Sequence, residues 1–258
     1  MSEKQEDKCN NLILLFRSPT EDGIDPYHKA LEDEGFTAAS IPVLQFNFIN
    51  INDYNRKLSN IDAYHSLVFT SQQAVRATQD VLQIWTETMR KELTDTTLCY
   101  VVGKATGKAA RQLGFSPKGE DTGNAPQLCD LILSEISTAE TRPVLFPCSN
   151  IRKDTVMERL SANGNKVDEI HVYETGHRQN ICKDVQNFVQ INGFPSAVVF
   201  FSPSGVQAYT ENRISDILDG SLKMVAIGPS TKIEMEKQEM TVYGTAAKPD
   251  PQSLLDVL

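Results

Sequence analysis

The stretch Ala197-Val198-Val199-Phe200-Phe201-Ser202-Pro203-Ser204-Gly205 runs from five apolar residues directly into small polar residues. A short apolar run is typical of a buried strand, and Ser-Pro-Ser-Gly is typical of a helix start. The earlier stretch Val68-Phe69-Thr70-Ser71, which leads to Ala74-Val75, has the same order. Both stretches predict a strand that passes into a helix through a loop of hydroxyl-bearing residues.

The same alternation of short apolar runs and amphipathic stretches continues along the chain. It is typical of an α/β protein with parallel sheets. The predicted strands are Leu12–Phe16, Ser66–Thr70, Leu98–Val102, Val144–Phe146, Ala197–Phe201 and Met224–Ile227, with shorter extended pieces at Thr37–Ile41 and Val167–Tyr173. The predicted helices are Tyr27–Glu34, Ala74–Trp85, Ala105–Leu113, Pro126–Leu133, Asp154–Ala162 and Ile233–Gln238.

The second half of the chain repeats the first at an offset of 125 to 131 residues. Besides the two stretches quoted first, Leu14–Ser18 matches Leu145–Ser149, Ile41–Val43 matches Ile170–Val172, Val102–Thr106 matches Ile227–Thr231, and Pro126–Leu128 matches Pro251–Ser253. Each match is weak alone, but they all occur in the same order. The chain is therefore predicted to contain two similar α/β units.

Composition excludes several classes of protein. The 258 residues are 40% hydrophobic and 23% charged, as in globular proteins that bury a core. A net charge of −9 argues against general binding to nucleic acid or to anionic membranes. No apolar run approaches the roughly 20 residues of a membrane-spanning helix, and the polar start lacks a signal-peptide core. We expect a cytosolic protein.

The cysteines and histidines predict neither a disulfide framework nor a metal centre. The five cysteines are scattered without a Cys-x-x-Cys pair; they are Cys9, Cys99, Cys129, Cys148 and Cys182. His171 and His177 are close in sequence, but no cysteine or carboxylate nearby completes a ligand set. Cys148 has no histidine near it in sequence either, so we expect a buried structural thiol there.

Sequence motifs for nucleotide binding and for acyl transfer are also absent. The chain has no G-x-G-x-x-G, no G-x-x-x-x-G-K-[ST] and no G-x-S-x-G. The interpretations as an NAD-, FAD- or P-loop-dependent enzyme therefore lose support. In open α/β sheets, a ligand site lies beyond the carboxyl ends of the strands.

Four loops at predicted strand ends carry hydroxyl groups or glycines: Thr70-Ser71, Gly103–Thr106, Ser202–Gly205 and Gly228–Thr231. Their hydroxyl and backbone N–H groups are suited to binding carboxylates or phosphates. Ordinary helix capping explains each loop equally well, so both interpretations stay open.

Four further residues have two interpretations each. Asn150 and Arg152 begin a predicted helix, and Arg17 ends the first strand; they form either a clamp for carboxylates or a solvated surface. Tyr173 closes an extended run that matches the one at Ile41. It is either a packed aromatic residue or a proton donor held over a cleft.

These segments together resemble the uroporphyrinogen-III synthase family, specifically its animal-type form, over roughly Leu12 to Leu258. The segments that carry the resemblance are Asp25–Tyr27, Ile41–Leu44, Val68–Val75, Val101–Thr106, Leu145–Asn150, Val172–Thr175, Phe200–Gly205 and Ala226–Thr231. The resemblance implies two parallel-sheet α/β domains joined by a two-stranded linker. One domain is discontinuous, residues 1–40 plus 176–258; the inserted domain is residues 46–169, and the linker strands are residues 41–45 and 170–175.

The resemblance also implies an activity. Members of this family cyclise hydroxymethylbilane to uroporphyrinogen III, inverting ring D and losing water through an azafulvene and a spiro intermediate. They use no metal and no organic cofactor. A monomer that contacts hydroxymethylbilane synthase transiently would fit this pathway. The alternative is an inactive two-lobed anion-binding or regulatory module of the same fold.

By resemblance, Tyr173 takes the position of the proton donor that assists departure of the hydroxyl group. Thr106 and the Ser202 loop would face each other across the cleft. The expected substrate-binding residues are Arg17, Thr70, Ser71, Lys104, Thr106, Asn150, Arg152, Ser202, Ser204, Lys223, Ser230 and Thr231. Gln73 stands where related animal sequences have an arginine, which puts one carboxylate contact in doubt; Lys104 is expected to compensate.

Overall fold

The structure is a computed structural model that describes residues 11–19, 24–151, 155–218 and 222–258. The chain divides into two compact units. Unit 1 contains the residues up to Gln45 together with Gly176–Leu258, and unit 2 is Phe46–Thr175. The chain therefore passes from one unit to the other twice.

Unit 1 is built on a five-stranded sheet in the order β10-β9-β8-β1-β2. All its strand pairings are parallel, as the predicted alternation of strands and helices requires. The strands are β1 (Leu12–Phe16), β2 (Thr37–Ile41), β8 (Ala197–Phe200), β9 (Lys223–Ala226) and β10 (Gly244–Thr245). The helices are α1 (Pro26–Asp33), α8 (Ile181–Asn192), α9 (Pro203–Glu211), α10 (Pro229–Lys237) and α11 (Pro251–Leu255), with a 3-10 turn at Ile214–Asp216.

Unit 2 has a second five-stranded sheet, in the order β3-β7-β6-β4-β5. The pairings of β6 with β4 and β7, and of β4 with β5, are parallel. The strands are β3 (Leu44–Phe48), β4 (Ser66–Phe69), β5 (Cys99–Val101), β6 (Val144–Ser149) and β7 (Val167–His177). The helices are α2 (Ile51–Leu58), α3 (Gln72–Leu82), α4 (Glu87–Thr96), α5 (Lys104–Gln112), α6 (Ala125–Glu135) and α7 (Thr155–Ala162), with a 3-10 turn at Ile61–Ala63.

Each sheet is covered on both faces, which explains why its central strands are apolar without alternation. In β1, Leu14 and Phe16 point into one core and Ile13 and Leu15 into the other. Leu67 and Val68 of β4 divide in the same way between the two cores of unit 2. Each unit is therefore a three-layer α/β sandwich with its own core.

The predicted fold class, two similar parallel α/β units, is confirmed. No predicted helix corresponds to α2, α4, α8 or α11. The helix α4 was hard to detect because its sequence, Glu-Thr-Met-Arg-Lys-Glu-Leu-Thr-Asp-Thr, has no apolar stripe, and it buries only Leu93 and Thr94.

The linker strand expected at residues 41–45 is wrong as a single element. Ile41 closes β2, where it pairs with Phe16, and β3 begins only at Leu44. Pro42 interrupts the two strands because proline has no N–H to continue a ladder. Residues 170–175 lie inside the single strand β7.

Candidate active site

The carboxyl edge of the unit 2 sheet gathers most of the predicted site residues of that unit. Ser71 is the N-cap of α3, and its Oγ accepts a hydrogen bond from the Gln73 backbone N–H at 3.1 Å. The half-buried Thr70 directly precedes it. Because Ser71 satisfies only one N–H of the first turn, α3 still presents unpaired donors at this edge.

The next loop along this edge depends on a glycine. Gly103 is the N-cap of α5 with a φ of 81°, a left-handed conformation that favours glycine. Thr106 is buried in the first turn of α5. Lys104 points away: its side chain is 84% exposed, and its Nζ lies 3.7 Å from a carboxylate oxygen of Asp121.

A β-bulge determines where Tyr173 points. Cys148 is paired with His171, but the next residue, Ser149, is paired with Tyr173, so Val172 is the extra residue. As a result, Val172 and Tyr173 both lie in the core that also contains Ile170. Without the bulge, Tyr173 would point to the same face as His171.

Tyr173 is 7% exposed, and its ring packs edge-to-face against Phe46 at 6.1 Å between centroids. Among the described residues, its hydroxyl has no hydrogen-bond partner. The exposed Asn150 lies beside it, since the Asn150 N–H donates to the Tyr173 carbonyl oxygen at 3.3 Å. The tyrosine ring is thus held by packing.

The carboxyl edge of the unit 1 sheet has two loops of the same kind. Ser202 is the N-cap of α9 and accepts a hydrogen bond from Gly205 N–H at 3.2 Å; its Oγ also lies 2.9 Å from that of Ser204. In the loop that opens α10, Ser230 is exposed and Thr231 is buried.

Arg17 also lies at this edge, at the end of β1, but the protein itself engages its guanidinium. Arg17 forms an ion pair with Asp25 at 3.2 Å and lies over the rings of Tyr27 and Phe201 at 5.0 and 4.9 Å. Asp25 in turn caps α1. These contacts assign Arg17 a role in fixing α1 to the sheet.

Two predicted residues are not brought to these edges by the described structure. Lys223 is the first residue of β9, so it lies at the amino edge of the unit 1 sheet. Its Nζ contacts the main-chain oxygen of Leu258 and lies 4.7 Å from the centre of the Tyr243 ring. The predicted strand Met224–Ile227 already implied this placement, because Lys223 directly precedes it; only the resemblance assigned Lys223 to the site. Arg152 falls outside the described residues.

The structure corrects one expectation about metal ligands. His171 has a cysteine and a carboxylate beside it after all: the ligand atoms of Cys148, Glu169 and His171 lie within 4.8 Å of one another. Sequence spacing missed this cluster because Cys148 belongs to β6 and the other two residues to β7. Only the pairing of these strands brings them together.

The described residues include no helix long and apolar enough to cross a membrane. The fold is that of a two-unit α/β protein whose strand-end loops carry hydroxyl groups at helix N-termini. The family model described as "Uroporphyrinogen-III synthase HemD" matches residues 25–256. The chain belongs to the uroporphyrinogen-III synthase family, as the resemblance predicted.

Individual relatives agree with this assignment. The chain is 29% identical to the uroporphyrinogen-III synthase of Saccharomyces cerevisiae, with 95% of this chain and 94% of the yeast protein covered. It is also 29% identical to the enzyme of Schizosaccharomyces pombe, covering 89% of each. The crystal structure of the Helicobacter pylori uroporphyrinogen-III synthetase matches with a TM-score of 0.57 and 16% identity, covering 95% of this chain and 96% of that one. The last comparison supports the fold.

Proposed function

We propose that this protein is a uroporphyrinogen-III synthase, a cyclising lyase of tetrapyrrole biosynthesis that acts on hydroxymethylbilane. Membership of the family and the two yeast relatives support this activity. No observation favours the inactive binding module considered as the alternative. Loss of the substrate's hydroxyl group as water produces an azafulvene, and ring closure through a spiro intermediate then inverts ring D.

The observation that carries the proposed mechanism is the placement of Tyr173. Its ring is held between core residues, and its hydroxyl has no partner among the described residues. We assign it the role of donating a proton to the departing hydroxyl group, so that water leaves instead of hydroxide. We assign to Asn150 the orientation of the same part of the substrate, because its N–H donates to the Tyr173 carbonyl oxygen.

We further propose that the strand-end loops bind the acetate and propionate side chains of the substrate. Ser71 and Thr106 would do so in unit 2, and Ser202 and Thr231 in unit 1. The supporting observation is that each lies at or in the first turn of a helix, where unpaired N–H groups favour carboxylates. Thr70, Ser204 and Ser230 lie in the same loops and would add hydroxyl donors.

The four cationic residues expected in the site differ in how well the structure supports a contact with the substrate. Lys104 is exposed but lies beside Asp121, so its contact with a substrate carboxylate stays a prediction, as does that of Arg152. Arg17 and Lys223 are engaged by Asp25 and by Leu258, which supports structural roles instead.

The isomer ratio of the product tests the activity. Hydroxymethylbilane generated in situ closes spontaneously to isomer I, in which ring D is not inverted. We therefore expect added protein to convert it predominantly to isomer III, measured by oxidation and chromatographic separation of the porphyrins. Isomer I alone, formed at the rate without protein, would contradict the proposal and favour the inactive module.

We also propose a cytosolic monomer that contacts hydroxymethylbilane synthase transiently. The support for a reducing compartment is that the described cysteines, Cys99, Cys129, Cys148 and Cys182, form no disulfide. Support for the transient contact is chemical: the substrate closes by itself, so rapid transfer limits the wrong isomer.

A further inference from the structure

Three metal-ligating side chains meet on one face of the unit 2 sheet. Cys148 is the second-last residue of the fully buried strand β6 and is paired with His171 of β7, while Glu169 lies two residues before His171 on the same face. The three ligand atoms, a thiol sulfur, a carboxylate oxygen and an imidazole nitrogen, all lie within 4.8 Å of one another. The proposed reaction uses none of them.

The present contacts hold these groups close to a metal-binding arrangement. His171 Nε2 lies 2.8 Å from Glu169 Oε1, and the Cys148 thiol lies 3.7 Å from the Ile170 carbonyl oxygen. The Asn50 side chain donates to the His171 carbonyl oxygen at 2.9 Å and so fixes this part of β7. In a tetrahedral zinc site, neighbouring ligand atoms are about 3.3–3.8 Å apart, a spacing that lies between the present 2.8 Å contact of His171 with Glu169 and the 4.8 Å limit of the cluster.

Burial and charge favour an ion with a preference for sulfur and nitrogen. Cys148 is 3% exposed and the Glu169 side chain 16%, whereas the His171 side chain is 41% exposed. An ion can therefore enter from the His171 side and keep a water there. A thiolate and a carboxylate neutralise a divalent charge, and a mixed sulfur, nitrogen and oxygen set selects Zn²⁺ over Mg²⁺ or Ca²⁺.

We propose that Cys148, Glu169 and His171 form a reversible binding site for Zn²⁺, with water as the fourth ligand. The ion takes the place of the proton on the Cys148 thiol and of the hydrogen bond between His171 and Glu169. Because the ligands come from two adjacent strands, bound Zn²⁺ also ties β6 to β7.

Metal titration of the full chain tests this site. We expect one Co²⁺ per chain to produce a thiolate-to-cobalt charge-transfer band that Zn²⁺ removes. Competition with a chromophoric chelator then measures the affinity for Zn²⁺. Cys148→Ser and His171→Gln should each lower that affinity at least about ten-fold, and Cys148→Ser should abolish the band. These readouts are independent of enzymatic activity.

Cys182→Ser is the matched control, because it removes a partly buried thiol that lies outside the cluster. It should leave both affinity and band unchanged. Saturating Zn²⁺ should raise the melting temperature of the wild type and of Cys182→Ser, but not of His171→Gln. If Cys148→Ser fails to fold, His171→Gln decides alone, since its side chain is partly exposed. Absence of the band, or an affinity that survives His171→Gln, would overturn the proposal.

Discussion

Tyr173 shows how one residue's role depends on a single irregularity in the backbone. Its position one residue after Val172 would normally place the two side chains on opposite faces of β7. The bulge opposite Ser149 puts both in the same core, and the packing against Phe46 fixes the ring. The position of the hydroxyl is therefore determined by the backbone rather than by hydrogen bonds.

Replacing Tyr173 with Phe removes only the hydroxyl. We expect kcat to fall about ten- to a hundred-fold, as for loss of an assisting acid, with the free energy of unfolding changed by less than about 0.5 kcal/mol. Turnover assays and urea unfolding measure the two effects. Tyr209→Phe is the control, since Tyr209 is a buried tyrosine that packs on Phe200 in the unit 1 core. Unchanged turnover in Tyr173→Phe would rule out proton donation.

Only the backbone conformation of Gly103 restricts which residue can occupy this position. A Cβ added there would meet nothing within 4 Å, so only the φ of 81° opposes substitution. Gly103→Ala should lower the free energy of unfolding by about 1–2 kcal/mol, the usual cost of the left-handed region. Gly176→Ala is the matched control, with equally open space but no positive φ. Chemical unfolding of both variants checks this, and equal stabilities would show that the α5 N-cap is not strained.

The residues at helix N-termini along the sheet edges can stabilise a helix as N-caps, and some of them are also proposed to bind substrate. Ser71 caps α3 in the proposed site, and Thr86 caps α4 in the same way, with its Oγ accepting from Met89 N–H at 3.3 Å. The proposed site includes the first loop but not the second. Capping and substrate binding can thus be separated by changing charge while keeping the cap.

Ser71→Asp keeps a good N-cap but adds a negative charge. We expect stability within about 0.5 kcal/mol of the wild type. Repulsion of about 1 kcal/mol should raise KM for hydroxymethylbilane roughly five-fold. Thr86→Asp should leave KM unchanged, because its loop is not proposed to bind substrate. A KM that is the same in both variants would mean that the α3 loop serves only as a cap.

A polar network joins β5 to α6 and titrates with acid. Glu135 Oε2 accepts hydrogen bonds from Lys118 Nζ and from the Tyr100 hydroxyl, both at 2.7 Å. The hydrogen bond from Lys118, followed by that from Tyr100, lowers the pKa of Glu135 below its ordinary value of 4.5. The network therefore stabilises the fold fully above pH 4.5, and this contribution is lost as pH falls through the lowered pKa.

Glu135→Gln should consequently lower the melting temperature at pH 7. The difference from wild type should shrink as the pH falls below 4.5, because the wild-type carboxylate then becomes protonated. Thermal melts over a pH series measure this difference. Glu92→Gln, on an exposed position of α4, is expected to match the wild type throughout. A difference that persists unchanged at low pH would show that the charge on Glu135 is not the cause.

At the scale of the whole molecule, the two units have separate cores. Leu14 is completely buried in unit 1, and Leu67 is completely buried in unit 2. Their neighbours within these cores come from the same unit as the leucine itself. A substitution that destabilises one core is therefore expected to lower the stability of its own unit first.

Leu14→Ala should destabilise unit 1 by about 2–5 kcal/mol, the range for a buried leucine replaced by alanine. Native-state hydrogen exchange, read by mass spectrometry, should show lost protection in the unit 1 strands while β4 and β6 stay protected. Leu67→Ala should give the reverse pattern. Equal loss of protection in both units from either variant would mean that the chain unfolds as a single cooperative body.

Local patterns predicted many of the elements. The strands β1, β4, β8 and β9 were each found within one residue of their expected ends, and the hydroxyl loops after β4 and β8 do cap helices. Apolar runs and capping residues are short-range signals, so they are visible without the fold. Polar helices such as α4 lack that signal and were missed.

The candidate site was predictable to the extent that it lies at strand ends. Ser71, Thr106, Ser202 and Thr231 are at the edges where parallel strands place binding loops. Lys223 shows the limit of the family resemblance. Resemblance alone placed it in the site, but β9 begins at that residue and carries it to the opposite edge.

The sequence by itself determined the alternation of strands and helices, the internal duplication and the family, because these depend on residues that are neighbours along the chain. The tertiary structure decided the direction of Tyr173, the ion pair of Arg17 with Asp25 and the meeting of Cys148 with His171. The direction of Tyr173 and the meeting of Cys148 with His171 depend on register between strands that are far apart in sequence, and the Arg17 pair depends on how α1 packs against β1. A local pattern carries no information about either.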